Sequence, residues 1–264
     1  MMRLILGLLL LTGLAGQANG QTTRSAGPGG GAPCVQAGAQ ACTAAVQPTP
    51  SDAETLKARG DADLAAGDRD QAIADYTQAI GLDATLASAF TNRGVAYLEE
   101  AKCQAAIADF TMAISLDPTH PSAWLDRGEA HQRNGEAEAA IADFDEATRL
   151  SPGLTEAFRQ RAFLRQTAGN DEAAIEDYSA VITLEPGDGA AFRGRGFSEK
   201  SLRRYAPAVA DLTTAIRLDP ADALAYRFRG QAEAAMHDYA AANRDDALAL
   251  QFGRKLPTVV IGQP

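Results

Sequence analysis

From residue 53 onward, bulky apolar, small and polar positions recur at the spacing of short amphipathic helices, and the whole pattern returns every 34 residues. A large apolar residue opens each unit: Leu56, Phe90, Trp124, Phe158, Phe192 and Tyr226. Four positions later stand Gly60, Gly94, Gly128, Ala162, Gly196 and Gly230. Twelve beyond these come Ala72, Ala106, Ala140, Ala174, Ala208 and Ala242. Then follow Tyr76, Phe110, Phe144, Tyr178 and Leu212, and after them Ala79, Ala113, Ala147, Val181, Ala215 and Ala249. The pattern predicts an all-α chain of six helix–turn–helix units, at 53–86, 87–120, 121–154, 155–188, 189–222 and 223–256.

The first five units end on a stop signal: Leu116-Asp117-Pro118, Leu150-Ser151-Pro152, Leu184-Glu185-Pro186 and Leu218-Asp219-Pro220, with a degenerate Leu82-Asp83-Ala84 before them. Proline lacks an N–H and disfavours helical geometry in the residue before it, so it is expected to end the second helix. A glycine costs about 1 kcal/mol in a helix interior, so a repeated Gly column needs a compensating reason. Close helix approach supplies one, with Gly or Ala on one helix expected to face Ala on the next and the aromatics filling the gaps. Trp124→Ala is then expected to cost roughly 3–5 kcal/mol.

Bulky, small, Ala, aromatic, Ala and Pro in this order resemble the tetratricopeptide repeat, and the resemblance spans about 200 positions, 53–256. It implies a right-handed superhelical solenoid of six repeats. There are departures. The Tyr that the family carries on its first helix is kept only at Tyr97; Asp63, His131, Arg165, Glu199 and Glu233 stand elsewhere. The last repeat has Asp246 for its second aromatic and Arg254 for its Pro, as suits a terminal repeat whose outer face meets water. The tail 257–264, with Thr258-Val259-Val260-Ile261, is expected to fold back over what stays apolar there.

The N-terminus has a different character. Met1-Met2-Arg3 and the apolar run Leu4 to Leu14 read as a secretory signal over 1–20, cleaved after Gly20 or after Ala18. The run is too short for the roughly 20 residues that span a bilayer, so no stable membrane insertion is expected after cleavage. Residues 21–50, rich in Gly, Ala and Pro, read as a disordered linker. The expected location is periplasmic or secreted, in a GC-rich bacterium. In an oxidising compartment Cys34 and Cys42 form a disulfide or remain two free thiols; Cys103 is left over inside a repeat, as a buried or half-buried thiol.

The formal charge of −10 becomes about −11 without the first twenty residues, 23 cations against 34 anions. General nucleic-acid binding needs cationic surface and is not expected. The charged residues are nonetheless ordered. Arg59, Arg93, Arg127, Arg161, Arg195 and Arg229 precede the small column, and Asp75, Asp109, Asp143, Asp177, Asp211 and Asp245 sit on the second helices. The two columns read as an Arg–Asp ladder with bidentate pairs, within a repeat or between neighbours.

The resemblance also implies that exposed positions of the first helices line a concave wall. Next to the bulky column these are Lys57, Thr91, Leu125, Arg159, Arg193 and Arg227; one turn on they are Asp61, Val95, Glu129, Phe163, Phe197 and Gln231. The first half is mixed and partly acidic. The second half gathers Arg159, Phe163, Arg193, Phe197, Lys200 and Arg227, a candidate seat for an extended acidic or C-terminal peptide. Against it stands the plainer reading, with solvated Arg side chains and each Phe packed sideways on its neighbour. The wall lacks the Asn and Lys set of the eukaryotic carboxylate-clamp repeats, so their ligand does not carry over.

No catalytic pattern emerges. His120, His131 and His237 are scattered, and no nucleophile elbow, phosphate loop or metal spacing occurs, so no catalytic residue, metal or cofactor is expected. The chain reads as an exported adaptor that binds a protein or peptide partner. The alternatives are a structural or chaperone-like factor in envelope assembly and, with least support, an enzyme or lectin-like protein.

Overall fold

The computed structural model describes residues 52–253. The expected signal over 1–20, the segment with Cys34 and Cys42, position 254 and the tail 257–264 lie outside the described residues. Twelve helices follow one another: α1 (Ala53–Ala66), α2 (Arg69–Leu82), α3 (Ala87–Glu99), α4 (Cys103–Leu116), α5 (Pro121–Arg133), α6 (Ala137–Leu150), α7 (Thr155–Thr167), α8 (Asp171–Leu184), α9 (Gly189–Ser201), α10 (Tyr205–Leu218), α11 (Ala223–Ala235) and α12 (Tyr239–Gly253). No strand occurs among the described residues. Each odd helix packs on the even helix after it, and each pair packs on the next, so the six repeats build one helical solenoid.

The small column works differently from the expectation. A methyl group at Gly60, Gly94 or Gly128 would lie 2.8, 2.7 or 2.5 Å from ring carbons of Tyr76, Phe110 and Phe144. The glycine therefore opens a slot for the second-helix aromatic ring of its own repeat, rather than for an Ala of the next helix. Those three rings are fully buried. In the last three repeats the small residue meets the Ala column: Ala162 shares a buried cluster with Ala174, and Gly196 and Gly230 would each bring a Cβ to 3.2 Å from the carbonyl oxygen of Ala208 or Ala242.

The helix stop is also not proline's alone. α2 ends at Leu82 although Ala84 follows, and Asp83 has φ −139° and ψ 96°, close to the −137° and 89° of Asp117 before Pro118. The aspartate side chain shapes the turn. Asp83 accepts from Thr85 N at 2.8 Å and from its hydroxyl at 2.6 Å, and Asp117 accepts from Thr119 N at 3.0 Å and its hydroxyl at 2.7 Å. Inside each repeat the turn passes through one left-handed residue. Gly67, Gly135 and Gly169 suit it, whereas Ala101, Arg203 and His237 adopt it at φ 57°, 61° and 68°.

The Arg–Asp ladder forms inside each repeat. All six arginines pair with the second-helix aspartate of their own repeat, for example Arg127 Nε to Asp143 Oδ2 at 2.9 Å and Nη2 to Oδ1 at 2.7 Å. The third arm reaches back to the preceding repeat: Arg93 to Thr77, Arg127 to Thr111, Arg195 to Ser179 and Arg229 to Thr213. From the second repeat on, the same guanidinium lies against the bulky column, over Phe90, Trp124, Phe158, Phe192 and Tyr226 at 4.9–5.7 Å. One side chain thus ties both helices of a repeat to each other and to the repeat before.

Cys103 is half-buried and free. His131 is half-buried, with Nδ1 2.5 Å from Glu136, which leaves it a structural neighbour of α6. The outer face of α12 is less polar than its sequence suggested, because Tyr239 and Leu250 are exposed beside Asp246.

Candidate functional site

First helices of successive repeats approach one another, α1 with α3, α3 with α5, α7 with α9 and α9 with α11, so they line the inner face of the solenoid. On this face α7 supplies Arg159 and Phe163, α9 supplies Arg193, Phe197 and Lys200, and α11 supplies Arg227. Leu125, read as an exposed wall position, is instead half-buried and packs with Ala140, Phe144 and Leu164.

Two adjoining cavities bring most of the second-half residues together. One, of about 240 Å3, is lined by Phe163, Arg193 and Phe197 together with Tyr178, Gly194 and Phe228. The other, of about 220 Å3, is lined by Arg159, Phe163 and Arg193 with Tyr178. The two phenylalanines differ. Phe163 is 52% exposed at the mouth, whereas Phe197 packs edge-on against Phe228, ring centres 4.8 Å apart. Lys200 lies over both of these rings, at 4.8 and 5.1 Å, and donates to Gln231 at 2.7 Å. Burial lowers its pKa.

The arginines are not equivalent either. Arg159 donates to Asp188 Oδ2 at 3.1 and 2.9 Å, to Glu185 at 3.0 Å, and to Glu156. Arg193 donates to Asp222 Oδ2 at 2.5 Å. Both aspartates cap the next first helix with their other oxygen: Asp188 accepts from Ala191 N at 3.0 Å, and Asp222 from Leu224 N at 3.1 Å and Ala225 N at 3.0 Å. Arg159–Asp188 and Arg193–Asp222 are thus clasps between neighbouring repeats, made in the same register at both junctions. Burial works against the charge of Arg159, but Asp188, Glu156 and Glu185 outweigh it and raise its pKa. For Arg227 the position in that register is Leu256, outside the described residues. Arg227 is exposed, and no ion pair holds it among the described residues.

The first half of the face has its own opening. A cavity of about 440 Å3 lies between repeats two and three, lined by Leu86, Thr91, Asn92, Ala113, Asp117 and His120 among others. Thr91 and His120 occupy the register of Arg159 and Asp188, and neither reaches the other. It is the larger opening, but it brings together neither aromatic rings nor a free cation. A third feature of this half is Asp126, whose carboxyl burial and Glu129 push up to about 6.

Six residues lining the cavity of about 240 Å3 were missed in the sequence: Gln166, Tyr178, Ala190, Gly194, Leu224 and Phe228. Gly194 and Phe228 share a column with Ala58, Asn92, Asp126 and Gln160, and its change to Gly and then Phe in successive repeats was the available signal. Among the described residues no group of three or more His, Cys, Asp or Glu is placed to hold a metal ion, and no helix is long and apolar enough to cross a membrane.

Comparison with known proteins agrees with this architecture. A family model described as a tetratricopeptide repeat matches residues 91–155, and one described as a TPR repeat matches 60–100. The crystal structure of MamA is similar at TM-score 0.60 and 23% identity, over 65% of this chain and 93% of that one. YrrB, described as a TPR protein with an unusual peptide-binding site, is similar at TM-score 0.61 and 22% identity, over 66% and 90%. PilF of Pseudomonas aeruginosa is similar at TM-score 0.63 and 17% identity, over 78% and 92%. At these identities the likeness is one of fold. No curated protein matches the sequence.

Proposed function

The chain is a tetratricopeptide-repeat protein, and on that premise we propose that it is an exported, non-catalytic adaptor that binds an extended acidic or C-terminal peptide on the inner face of repeats four to six. The observation that carries this reading is the convergence of Phe163, Arg193 and Phe197 on one cavity, with Lys200 over the Phe197 ring and the exposed Arg227 next to Phe228 on α11. Arg159 and Arg193 commit their charge to the clasps, so the carboxylate of the ligand falls to Arg227, with Lys200 beside it. The apolar cavity supplies the burial that ion pairs in water lack. A peptide role also agrees with the description of YrrB as a peptide-binding protein. Export rests on the signal pattern of residues 1–20, and a mature protein beginning at Asn19 or Gln21 in a periplasmic fraction is its check.

The experiment is affinity capture from envelope extract with the wild type and Arg227→Ala. This residue makes no clasp, so its removal spares the solenoid. Partners lost with Arg227→Ala support the adaptor reading. The same partners captured by both proteins overturn the basic wall and favour the structural or chaperone-like role in envelope assembly.

A further inference from the structure

Repeat four breaks the rule that places the second-helix ring in the glycine slot. Its small residue is Ala162, and a methyl there is incompatible with a ring seated as Tyr76, Phe110 and Phe144 are, since each of those rings lies within 2.8 Å of where a Cβ would stand. Tyr178 goes elsewhere. Its ring lies against Gly194 of the next repeat, where an added Cβ would be 2.4 Å from Cζ and 2.7 Å from Cε1. Every other repeat carries a side chain at that column: Ala58, Asn92, Asp126, Gln160 and Phe228. The two departures, a methyl gained at 162 and one lost at 194, are therefore two halves of one change.

The displaced ring alters the inner face. Tyr178 now lines both cavities, between Phe163 on one side and the Phe197–Phe228 pair on the other. Gln166 fixes the surroundings by donating to the Gly194 carbonyl at 2.9 Å and to Ser198 Oγ at 2.8 Å. Burial pushes the Tyr178 phenol up to about 12, with Arg193 opposing, so the floor is an uncharged aromatic surface at any physiological pH. A space of about 240 Å3 is below the roughly 300 Å3 at which small-molecule sites begin, and is scaled to a single side chain. Lys200, over the Phe197 and Phe228 rings, and the exposed Arg227, next to Phe228 on α11, favour acidic residues beside the one that enters it.

We propose that the paired exchange at Ala162 and Gly194 has turned the buried Tyr178 ring from the slot of its own repeat toward the next one, so that it forms the floor of a specificity pocket, and that this pocket takes one aliphatic side chain of the acidic peptide. The inference rests on the peptide-binding reading above. Two sets of measurements separate the two.

The first concerns the ring alone. Gly194→Ala is expected to lower the thermal midpoint, because its methyl strikes Tyr178. Adding Ala162→Gly is expected to restore most of the loss, as the ring returns to the slot that Tyr76, Phe110 and Phe144 use. If the double variant is no more stable than Gly194→Ala, the displacement is refuted.

The second uses two fluorescent decapeptides of Asp and Gly, one with a single central Leu and one with Ala in its place. The wild type is expected to hold the Leu peptide about tenfold tighter or more. The folded double variant is expected to lose that preference, while Arg227→Ala weakens both peptides alike. Equal affinity of the wild type for both peptides overturns the pocket and leaves the acidic wall standing. A Leu preference indifferent to Arg227→Ala overturns the wall and keeps the pocket. No binding of either peptide overturns both.

Discussion

Between repeats two and three, Thr91 and His120 leave a cavity of about 440 Å3; between repeats four and five, Arg159 and Asp188 in the same register bridge the junction with an ion pair, and the cavity beside Arg159 is about 220 Å3. The backbones around the two junctions are equivalent, with first helices starting at Ala87, Pro121, Thr155 and Gly189, each one full repeat after the last. What differs is reach. Arg159 extends to an aspartate that also caps α9, whereas Thr91 turns its hydroxyl back to the Ala87 carbonyl at 3.1 Å and His120 holds Ser122 at 2.8 Å. A solenoid can thus keep its core constant and vary its inner face by side-chain length alone. The clasps of repeats four to six leave the aromatic cavities as the openings of that half, and without a clasp the junction of two and three has a cleft of mixed polar and apolar lining.

The comparison assumes a common frame, and the ladder is its largest test. Asp109→Ala in the first half and Asp177→Ala in the second are each expected to cost about 3–5 kcal/mol, because a mostly buried guanidinium loses its partner. Asp109 should be the costlier site, since Arg93 pairs with no other carboxylate among the described residues, whereas without Asp177 both Arg161 and Arg165 keep Asp145, at 2.6 and 3.0 Å. Urea denaturation of both variants checks this. A cost near zero at either site would mean that the frame is not shared.

This frame was largely legible in the sequence. Columns at fixed spacing reveal the helices, and six matched Arg and Asp positions reveal the ladder. The partner was not legible: for each arginine, the aspartate of its own repeat and that of the repeat before are equally plausible until the helix faces are known. The site was read less well. The wall residues were found by register, but the clasps join different repeats through aspartates that look like ordinary turn residues. The Tyr178 displacement depends on the absence of one methyl at Gly194, which by itself reads as a spare glycine in a packing column. Leu125 was misplaced for a related reason, because an apolar residue in a wall column can turn sideways into the core.

Asp126 offers a smaller break, confined to the first half. The register that brings Asn92 to Asp61 at 2.6 Å, and Phe228 to Phe197, sets Val95 opposite Asp126, and no cation pairs with it among the described residues. Its folded pKa of about 6 lies above the ordinary 3.8, so the folded state holds the proton more tightly than the unfolded chain. Stability should therefore fall as pH rises from about 4 to about 6 and stay lower beyond. Asp126→Asn removes that penalty and is expected to stabilise the protein at pH 7 by roughly 1–3 kcal/mol while changing little at about pH 3.5. Thermal melts of both proteins across this range decide it. A constant difference at all pH values would show that the effect is not the carboxyl's ionisation.

The smallest expected effect is the most direct on the comparison, because it turns one junction into the other. Thr91→Arg with His120→Asp copies the clasp of repeats four and five into repeats two and three. The new aspartate precedes Pro121, where α5 begins, so one oxygen can cap the helix while the other meets the introduced guanidinium, as Asp188 does for α9 and Arg159. The pair is partly exposed, and its gain should be no more than about 1 kcal/mol, falling with added salt. Neither single substitution should give half of it: Thr91→Arg alone finds no carboxylate at position 120, and His120→Asp alone gains only the cap. A double-mutant cycle in urea reads the coupling. Coupling indistinguishable from zero would mean that the clasps of repeats four to six follow the packing of their helices, and that reach alone does not explain why one junction is clasped and the other is not.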